Sequence, residues 1–251
     1  MLLGEPERTQ ADLCFRLLGI PVRVHPFFWI VALILGANQI RSPVDLILWV
    51  LAVFVAILVH ELGHALLMRL LGFHPAITLY GLGGYASYDR VWGGSNLGHT
   101  PGGQILIHAA GPGASLALAA FIIGLVWLSG IQLEFQIGLP YGLWVGFFLP
   151  GSELLNQFLN WLVTILLAWS FLNLMPVYPL DGGQMVREVL IWLNPHQGMV
   201  QTLVLSVLVG GALCLAALLV WKSWFLAILF GYLAFANFMT LQATAGRPWG
   251  W

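Results

Sequence analysis

The sequence predicts an all-α integral membrane protein with about six transmembrane helices and a small membrane-associated β element between the second and third. Of its 251 residues, 60% are hydrophobic and only 8% are charged, whereas soluble globular domains carry about 25% charged residues. The apolar residues also fall in runs close to the about 20 residues that a helix needs to cross a bilayer. A formal net charge of -1 offers no basic surplus, so we expect the lipid bilayer and no nucleic acid as a partner.

The apolar runs define the predicted spans and the organisation of the chain. The last two runs are separated by a short link and indicate a helical hairpin over 201–242. We interpret residues 1–251 as a single transmembrane domain with its core at 44–185. The runs lie near 26–38, which is short, and near 44–71, 105–129, 154–175, 201–221 and 224–242.

Basic residues predict the orientation of the spans, because cytoplasmic loops of membrane proteins are enriched in lysine and arginine. With a cytoplasmic N-terminus, Arg41 and Lys222 lie outside and seven arginines lie inside, which favours N-in and C-in. From the compactness of the chain we expect a bacterial inner membrane. The inside set is Arg8, Arg16, Arg23, Arg69, Arg90, Arg187 and Arg247.

The loop over 74–103 differs in composition from the spans around it. Its stretch AITLYGLGGYASY has the β-branched and aromatic content of two strands joined by a glycine turn. A free edge of such a sheet pairs with an extended peptide, which makes Gly83 and Gly84 candidate substrate-binding positions. The alternative is a flexible cytoplasmic loop.

The segment HELGH at 60–64 places ionisable groups inside a span, where they are costly and point to function. His60 and His64 are four residues apart, so on a helix they project from nearly the same face and reach one cation. Glu61 then lies beside the open position of the metal without ligating it. This is the H-E-x-x-H arrangement of zinc hydrolases, with the carboxylate as general base.

A catalytic zinc usually takes three protein ligands, so a third must come from elsewhere in the chain. Asp89 and Glu134 are expected in loops, Glu153 on the outer side, and Glu188 in a structural role beside Arg187. Asp181 remains the strongest candidate. It lies in MPVYPLDGGQMV, a segment with helix-breaking residues that should line a protein-enclosed cavity.

Three blocks together, HELGH, AGPGAS at 110–115 and NLMPVYPLDGG at 173–183, resemble the site-2 protease family of intramembrane zinc metalloproteases, in a compact form without PDZ or CBS domains. The resemblance implies His60, His64 and Asp181 as Zn²⁺ ligands and Glu61 as the base. The glycines at 81–84 stand where the family carries a membrane-associated sheet. Ser115 departs from the asparagine that often follows the A-G-P turn.

The implied activity is hydrolysis of a membrane-protein substrate within or near its transmembrane helix. Asn173 is a candidate for binding the substrate backbone or the developing oxyanion, with an interhelical structural bond as the alternative. His108, inside the 105–129 run, is a further candidate for the active cavity.

Rival functions are a zinc transporter, a membrane zinc peptidase that trims lipidated proteins, and a non-catalytic zinc-binding membrane protein that binds another membrane chain. The intact Glu61 argues against the last of these, because a structural metal site needs no base.

Overall fold

A computed structural model describes residues 7–36, 41–81, 83–87, 95–138 and 142–245. These residues divide into two compact units, the first within residues 3–98 and 110–171 and the second within residues 99–109 and 172–251. Two helices, Pro101–Leu128 and Glu153–Asn173, contribute residues to both units.

Helices in the first unit follow the apolar runs. Helix α1, Pro26–Gly36, is followed by α2, Pro43–Leu70, by α3, Pro101–Leu128, and by α4, Glu153–Asn173. The Ser42 hydroxyl accepts a hydrogen bond from the Asp45 backbone N–H and caps α2. Proline at the first position of α2 fits there because that N–H has no helical partner.

Helix α1 runs antiparallel to α2. The Phe28 and Phe54 rings lie 6.3 Å apart, and further along the pair the Trp49 indole N–H donates to the Ala32 carbonyl over 2.9 Å. Eleven residues make α1 only about 16 Å long, well short of the about 30 Å hydrocarbon core.

A four-stranded sheet lies beside these two helices, in the order β1 (Leu13–Leu17), β2 (Ile20–Val24), β3 (Ala76–Tyr80), β4 (Gly83–Ser87). The β1–β2 and β3–β4 pairs are antiparallel and the β2–β3 pair is parallel. The predicted strand pair over 74–103 is therefore present, with β4 at one edge. The sheet is larger than predicted, because two of its strands come from the segment before α1.

The β1–β2 turn explains why this hairpin was not predicted. Leu18 and Gly19 both have positive φ, 51° and 81°, as the two central residues of a tight hairpin turn do. Leucine is an uncommon residue in that conformation, so the sequence carries no Asn-Gly type of signal. The buried Arg23, paired with Asp12 over 3.1 Å, further obscures the alternation of apolar and polar residues.

A second hairpin, β5 (Leu133–Gly138) and β6 (Gly142–Phe147), connects α3 to α4. Glu134 therefore lies in a strand, where the sequence led us to expect a loop. The Asn160 side chain accepts from the Phe147 N–H over 3.1 Å and donates to its carbonyl over 2.9 Å. Val145 and Phe147 are buried against Val126 and Val163, so the hairpin is fixed to the long helices.

Helices α5 (Asp181–Leu193), α6 (Gly198–Leu219) and α7 (Trp224–Ala245) belong to the second unit. The predicted hairpin over 201–242 is the α6–α7 pair. Gly210 allows close approach of α7, because a Cβ there would lie 3.2 Å from Ala234 Cβ.

Helices α2, α3, α4, α6 and α7 are long and apolar enough to cross a membrane. Their bounds lie within a few residues of the predicted spans, and the sixth predicted span corresponds to the short α1. The protein is thus a mostly helical, multi-pass membrane protein with a small sheet, as the sequence predicted.

Candidate metal centre

The middle of α2 carries the two histidines and the glutamate of the HELGH segment. All three side chains are buried, at 2%, 4% and 6% exposure for His60, Glu61 and His64. The Nε2 atoms of the two imidazoles lie 3.2 Å apart. The rings stand nearly perpendicular, at 80°, with centroids 4.9 Å apart. Both nitrogens are therefore available to the same point beside the helix.

The spacing of these nitrogens fits zinc. Two nitrogen ligands at about 2.0–2.1 Å from a tetrahedral zinc ion are about 3.3 Å apart, close to the observed 3.2 Å. Neutral imidazole is also a ligand type that zinc prefers. The pair formed by His60 and His64 thus matches two adjacent corners of a tetrahedral zinc site.

Close packing fixes the orientation of these side chains. A Cβ placed on Gly111 of α3 would collide with the His64 ring, and one placed on Gly63 would collide with the Ala110 carbonyl. Glycine at both positions therefore lets α3 approach the histidine face of α2. The Trp169 ring, from α4, lies 6.5 Å from the His60 ring.

Strand β4 lies against the same face of α2. A Cβ on Gly84 would lie 2.8 Å from Glu61 Cγ, and one on Gly83 would lie 2.9 Å from the Trp169 ring. These distances are shorter than ordinary van der Waals contact, so only glycine fits without displacing Glu61 or Trp169. The two glycines that the sequence singled out bring the β4 backbone next to the glutamate.

Asp181 is the first residue of α5, in the second unit, and is 9% exposed. Its carboxylate oxygen lies 3.8 Å from Nδ1 of His108 on α3. The following glycines permit a compact turn, because a Cβ on Gly182 would collide with the Leu174 carbonyl and one on Gly183 with the backbone of Val177 and Tyr178. The turn presents a buried carboxylate at the start of a helix.

The other candidate residues occupy different positions. Asn173 is the last residue of α4 and is 8% exposed. Ser115 on α3 is fully buried, and its hydroxyl has no hydrogen-bond partner among the described residues. Glu188 contacts Arg187, as expected for a structural carboxylate. Asp89 lies outside the described residues.

Comparison with known proteins identifies the family to which this chain belongs. The sequence matches the model of peptidase family M50 over residues 48–217, more than half of the chain. The chain belongs to peptidase family M50. The predicted membership in the site-2 protease family is thereby confirmed, and the matched range of this M50 chain contains all three motif blocks.

Individual relatives agree with this assignment. The M50 chain is 28% identical over 207 residues to a zinc metalloprotease of Methanocaldococcus jannaschii, covering 82% of this chain and 52% of the relative. It thus spans about half the length of the curated relatives it matches. The solved structure of a site-2 protease from Methanocaldococcus jannaschii shares its fold, with a TM-score of 0.53 and 22% identity over 92% of this chain and 95% of that one.

Sequence reasoning missed two features of this M50 chain. Trp169, which separates His60 from β4, carries no motif of its own. Ser206 and Asn237 are buried in α6 and α7, and neither is ionisable, so the rule that intramembrane charges mark function does not single them out. A search for any polar side chain within an apolar run would have found both.

Proposed function

We propose that this M50 chain is an intramembrane zinc metalloprotease that hydrolyses peptide bonds within or near the transmembrane segment of a membrane-protein substrate. The observation that carries the proposal is the buried His60 and His64 pair, at zinc-compatible spacing, with Glu61 between them in sequence. The proposal takes residues 1–251 as one protease domain with its core at 44–185, because the likeness to the solved site-2 protease covers most of both chains.

His60, His64 and Asp181 are the proposed zinc ligands. His108 and Gly111 are three residues apart on α3 and therefore share one face of that helix. His64 packs against Gly111 in the first unit, and Asp181 lies beside His108 in the second. The HELGH and NLMPVYPLDGG segments that carry the three residues both lie within the range of the family match, 48–217, which supports assigning them to one site. Two imidazoles and one carboxylate are a ligand set found in catalytic zinc sites. When bound, zinc supplies Lewis acidity to a water molecule and to the substrate carbonyl.

Glu61 serves as the general base. It accepts a proton from the attacking water and delivers it to the nitrogen of the departing amine as the C–N bond breaks. Its burial excludes competing bulk water from this proton transfer. Asn173 hydrogen-bonds the substrate backbone or the developing oxyanion, and His108 contributes to the wall of the cavity beside Asp181.

The edge of β4 that has no strand partner among the described residues holds the substrate. A helical substrate hides its carbonyl groups in its own hydrogen bonds, so it must unwind locally before attack. An extended segment then pairs with the strand edge through main-chain hydrogen bonds. Because Gly84 packs against Glu61, a peptide on this edge lies close to the base.

The proposed topology is N-in and C-in. The His25 N–H donates to the Leu79 carbonyl over 2.9 Å, so α1 starts at the sheet, which lies near the level of Glu61 on α2. The antiparallel α1 then leads away from the Arg69 end of α2, which the charge distribution assigns to the cytoplasm. We propose a bacterial inner membrane as the location.

Cleavage of a panel of single-span membrane proteins by wild type and Glu61→Gln tests the proposal, with bound zinc measured in both. We expect cleavage by wild type alone and equal zinc in both proteins. Equal cleavage by the two proteins contradicts the proposal. Zinc without cleavage of any substrate favours the alternative, a non-catalytic zinc-binding protein that binds another membrane chain.

A further inference from the structure

The backbone of Tyr178, in the turn before α5, is held by both helices of the C-terminal hairpin. Its N–H donates to the Ser206 hydroxyl of α6 over 2.9 Å. Its carbonyl accepts from the Asn237 amide of α7 over 2.6 Å. The guanidinium of Arg187 lies 5.9 Å from the centroid of the Tyr178 ring, within the range of a cation–π contact. Backbone and ring of one residue are thus held from three sides.

Stability alone does not account for these contacts. Ser206 and Asn237 are 1% and 0% exposed, and polar side chains are costly inside a membrane span. Side-chain hydrogen bonds between membrane helices contribute little to stability on average. Apolar residues at these positions would avoid the cost of burying Ser206 and Asn237, but they would leave the Tyr178 N–H and carbonyl without these partners. The polar side chains therefore pair the backbone of the turn and fix its position against both helices.

Close packing transmits this geometry to Asp181, three residues after Tyr178. The backbone of Val177 and Tyr178 lies against Gly183, where a Cβ would collide with it. Val177 is fully buried in an apolar cluster that includes Ala217 of α6 and Phe230 of α7. A shift of the Tyr178 backbone therefore moves the first turn of α5, which carries the Asp181 carboxylate.

We infer that the α6–α7 hairpin positions the metal-binding carboxylate, with Ser206 and Asn237 as the positioning residues. The inference rests on the proposed zinc site. It assigns a role to Asn237, which lies beyond residue 217, where the family match ends. Neither residue touches substrate; both act on Asp181 through Tyr178.

Zinc affinity, measured by competition with a chelator in the purified full-length protein, tests this inference. Ser206→Ala and Asn237→Leu should each weaken zinc binding by about tenfold, the lower end of the range for residues that orient metal ligands. Because both residues act on the backbone of one residue, Tyr178, the double variant should lose less than the product of the two single losses.

Matched controls are available on the same helices. Among the residues that the structure describes, the Thr202 and Thr240 hydroxyls donate to carbonyls of their own helix alone, Gly198 and Ala236, over 2.7 and 2.9 Å. Thr202→Val and Thr240→Val therefore remove a buried or part-buried hydroxyl without touching Tyr178, and both should bind zinc like wild type. The visible absorption of the Co²⁺-loaded protein gives a second readout, which should change in Ser206→Ala and Asn237→Leu only.

The outcomes separate the two proposals. A wild type that binds no zinc overturns the proposed function. A wild type that binds zinc, with wild-type affinity and Co²⁺ absorption in folded Ser206→Ala, overturns the positioning role. Ser206→Ala removes a single oxygen atom, so it decides the question even if Asn237→Leu does not fold. Equal losses in the Thr202→Val and Thr240→Val controls also overturn it, because they indicate a general weakening of the helices.

Discussion

The backbone of Gly84 packs directly against the side chain of Glu61. A Cβ at position 84 would lie 2.8 Å from Glu61 Cγ and 3.1 Å from Glu61 Cδ. One face of the edge strand β4 and a buried carboxylate are thereby brought together with no side chain of residue 84 between them. Position 84 therefore requires glycine if Glu61 is to keep its place in the site.

We expect Gly84→Ala to lower kcat by about tenfold to a hundredfold, because displacing a catalytic group by a fraction of an ångström disrupts its alignment with the reacting atoms. Zinc content should remain unchanged, since the atoms nearest to a Cβ at position 84 belong to Leu79 and Glu61 and not to the two histidines. Ser87→Ala, on the same strand, serves as the control because it loses only a 3.5 Å contact. An unchanged kcat in Gly84→Ala would show that packing of β4 against Glu61 does not matter for catalysis.

Gly111→Ala should weaken zinc binding by about tenfold to a hundredfold, because its methyl group displaces the His64 ring and ring orientation controls metal affinity. Gly113→Ala provides a matched control on the same helix, since a Cβ there meets nothing within 4 Å among the described residues. Zinc titration of both variants checks this prediction. Equal affinities in the two variants would contradict it.

His60→Ala should lose both stoichiometric zinc and proteolysis, because one imidazole and one carboxylate are too few ligands for a catalytic zinc site. Elemental analysis of the purified protein measures the metal directly. His74→Ala is the control, since His74 is exposed and should be dispensable. Full zinc occupancy in His60→Ala would show that this histidine is not a ligand.

Asp181→Asn should weaken zinc binding by more than about tenfold, since the neutral amide is a poorer ligand than the carboxylate. Membrane insertion and expression should match wild type, because the substitution conserves shape at a buried position. Chelator competition in parallel with membrane fractionation tests both expectations. Wild-type zinc affinity in Asp181→Asn would show that the third ligand is another residue.

Local signals in the sequence predicted the long helices and the histidine pair. Apolar run length fixed spans such as 44–71, which the structure gives as Pro43–Leu70. The i,i+4 spacing of His60 and His64 sufficed to place both rings on one helix face. Both inferences depend on properties of a single helix, which its own residues determine.

Tertiary contacts account for what the sequence did not reveal. The β1–β2 hairpin depends on a turn with Leu18 in a left-handed conformation, which no local preference favours. Asn237 acquires its role only because Tyr178, 59 residues earlier in the chain, lies within 2.6 Å of it. No periodicity or motif in the sequence indicates a hydrogen bond between residues so far apart in the chain.

The parallel pairing of β2 with β3 has a practical consequence for truncation. The family match begins at residue 48, but the inner neighbour of β3 is supplied by residues 20–24, through Val22 against Ile77 and Val24 against Leu79. A chain trimmed to the matched range would leave β3 with an unpaired edge on the side opposite β4. That new edge would compete with β4 for any extended polypeptide, so trimmed versions should self-associate more readily than the intact chain.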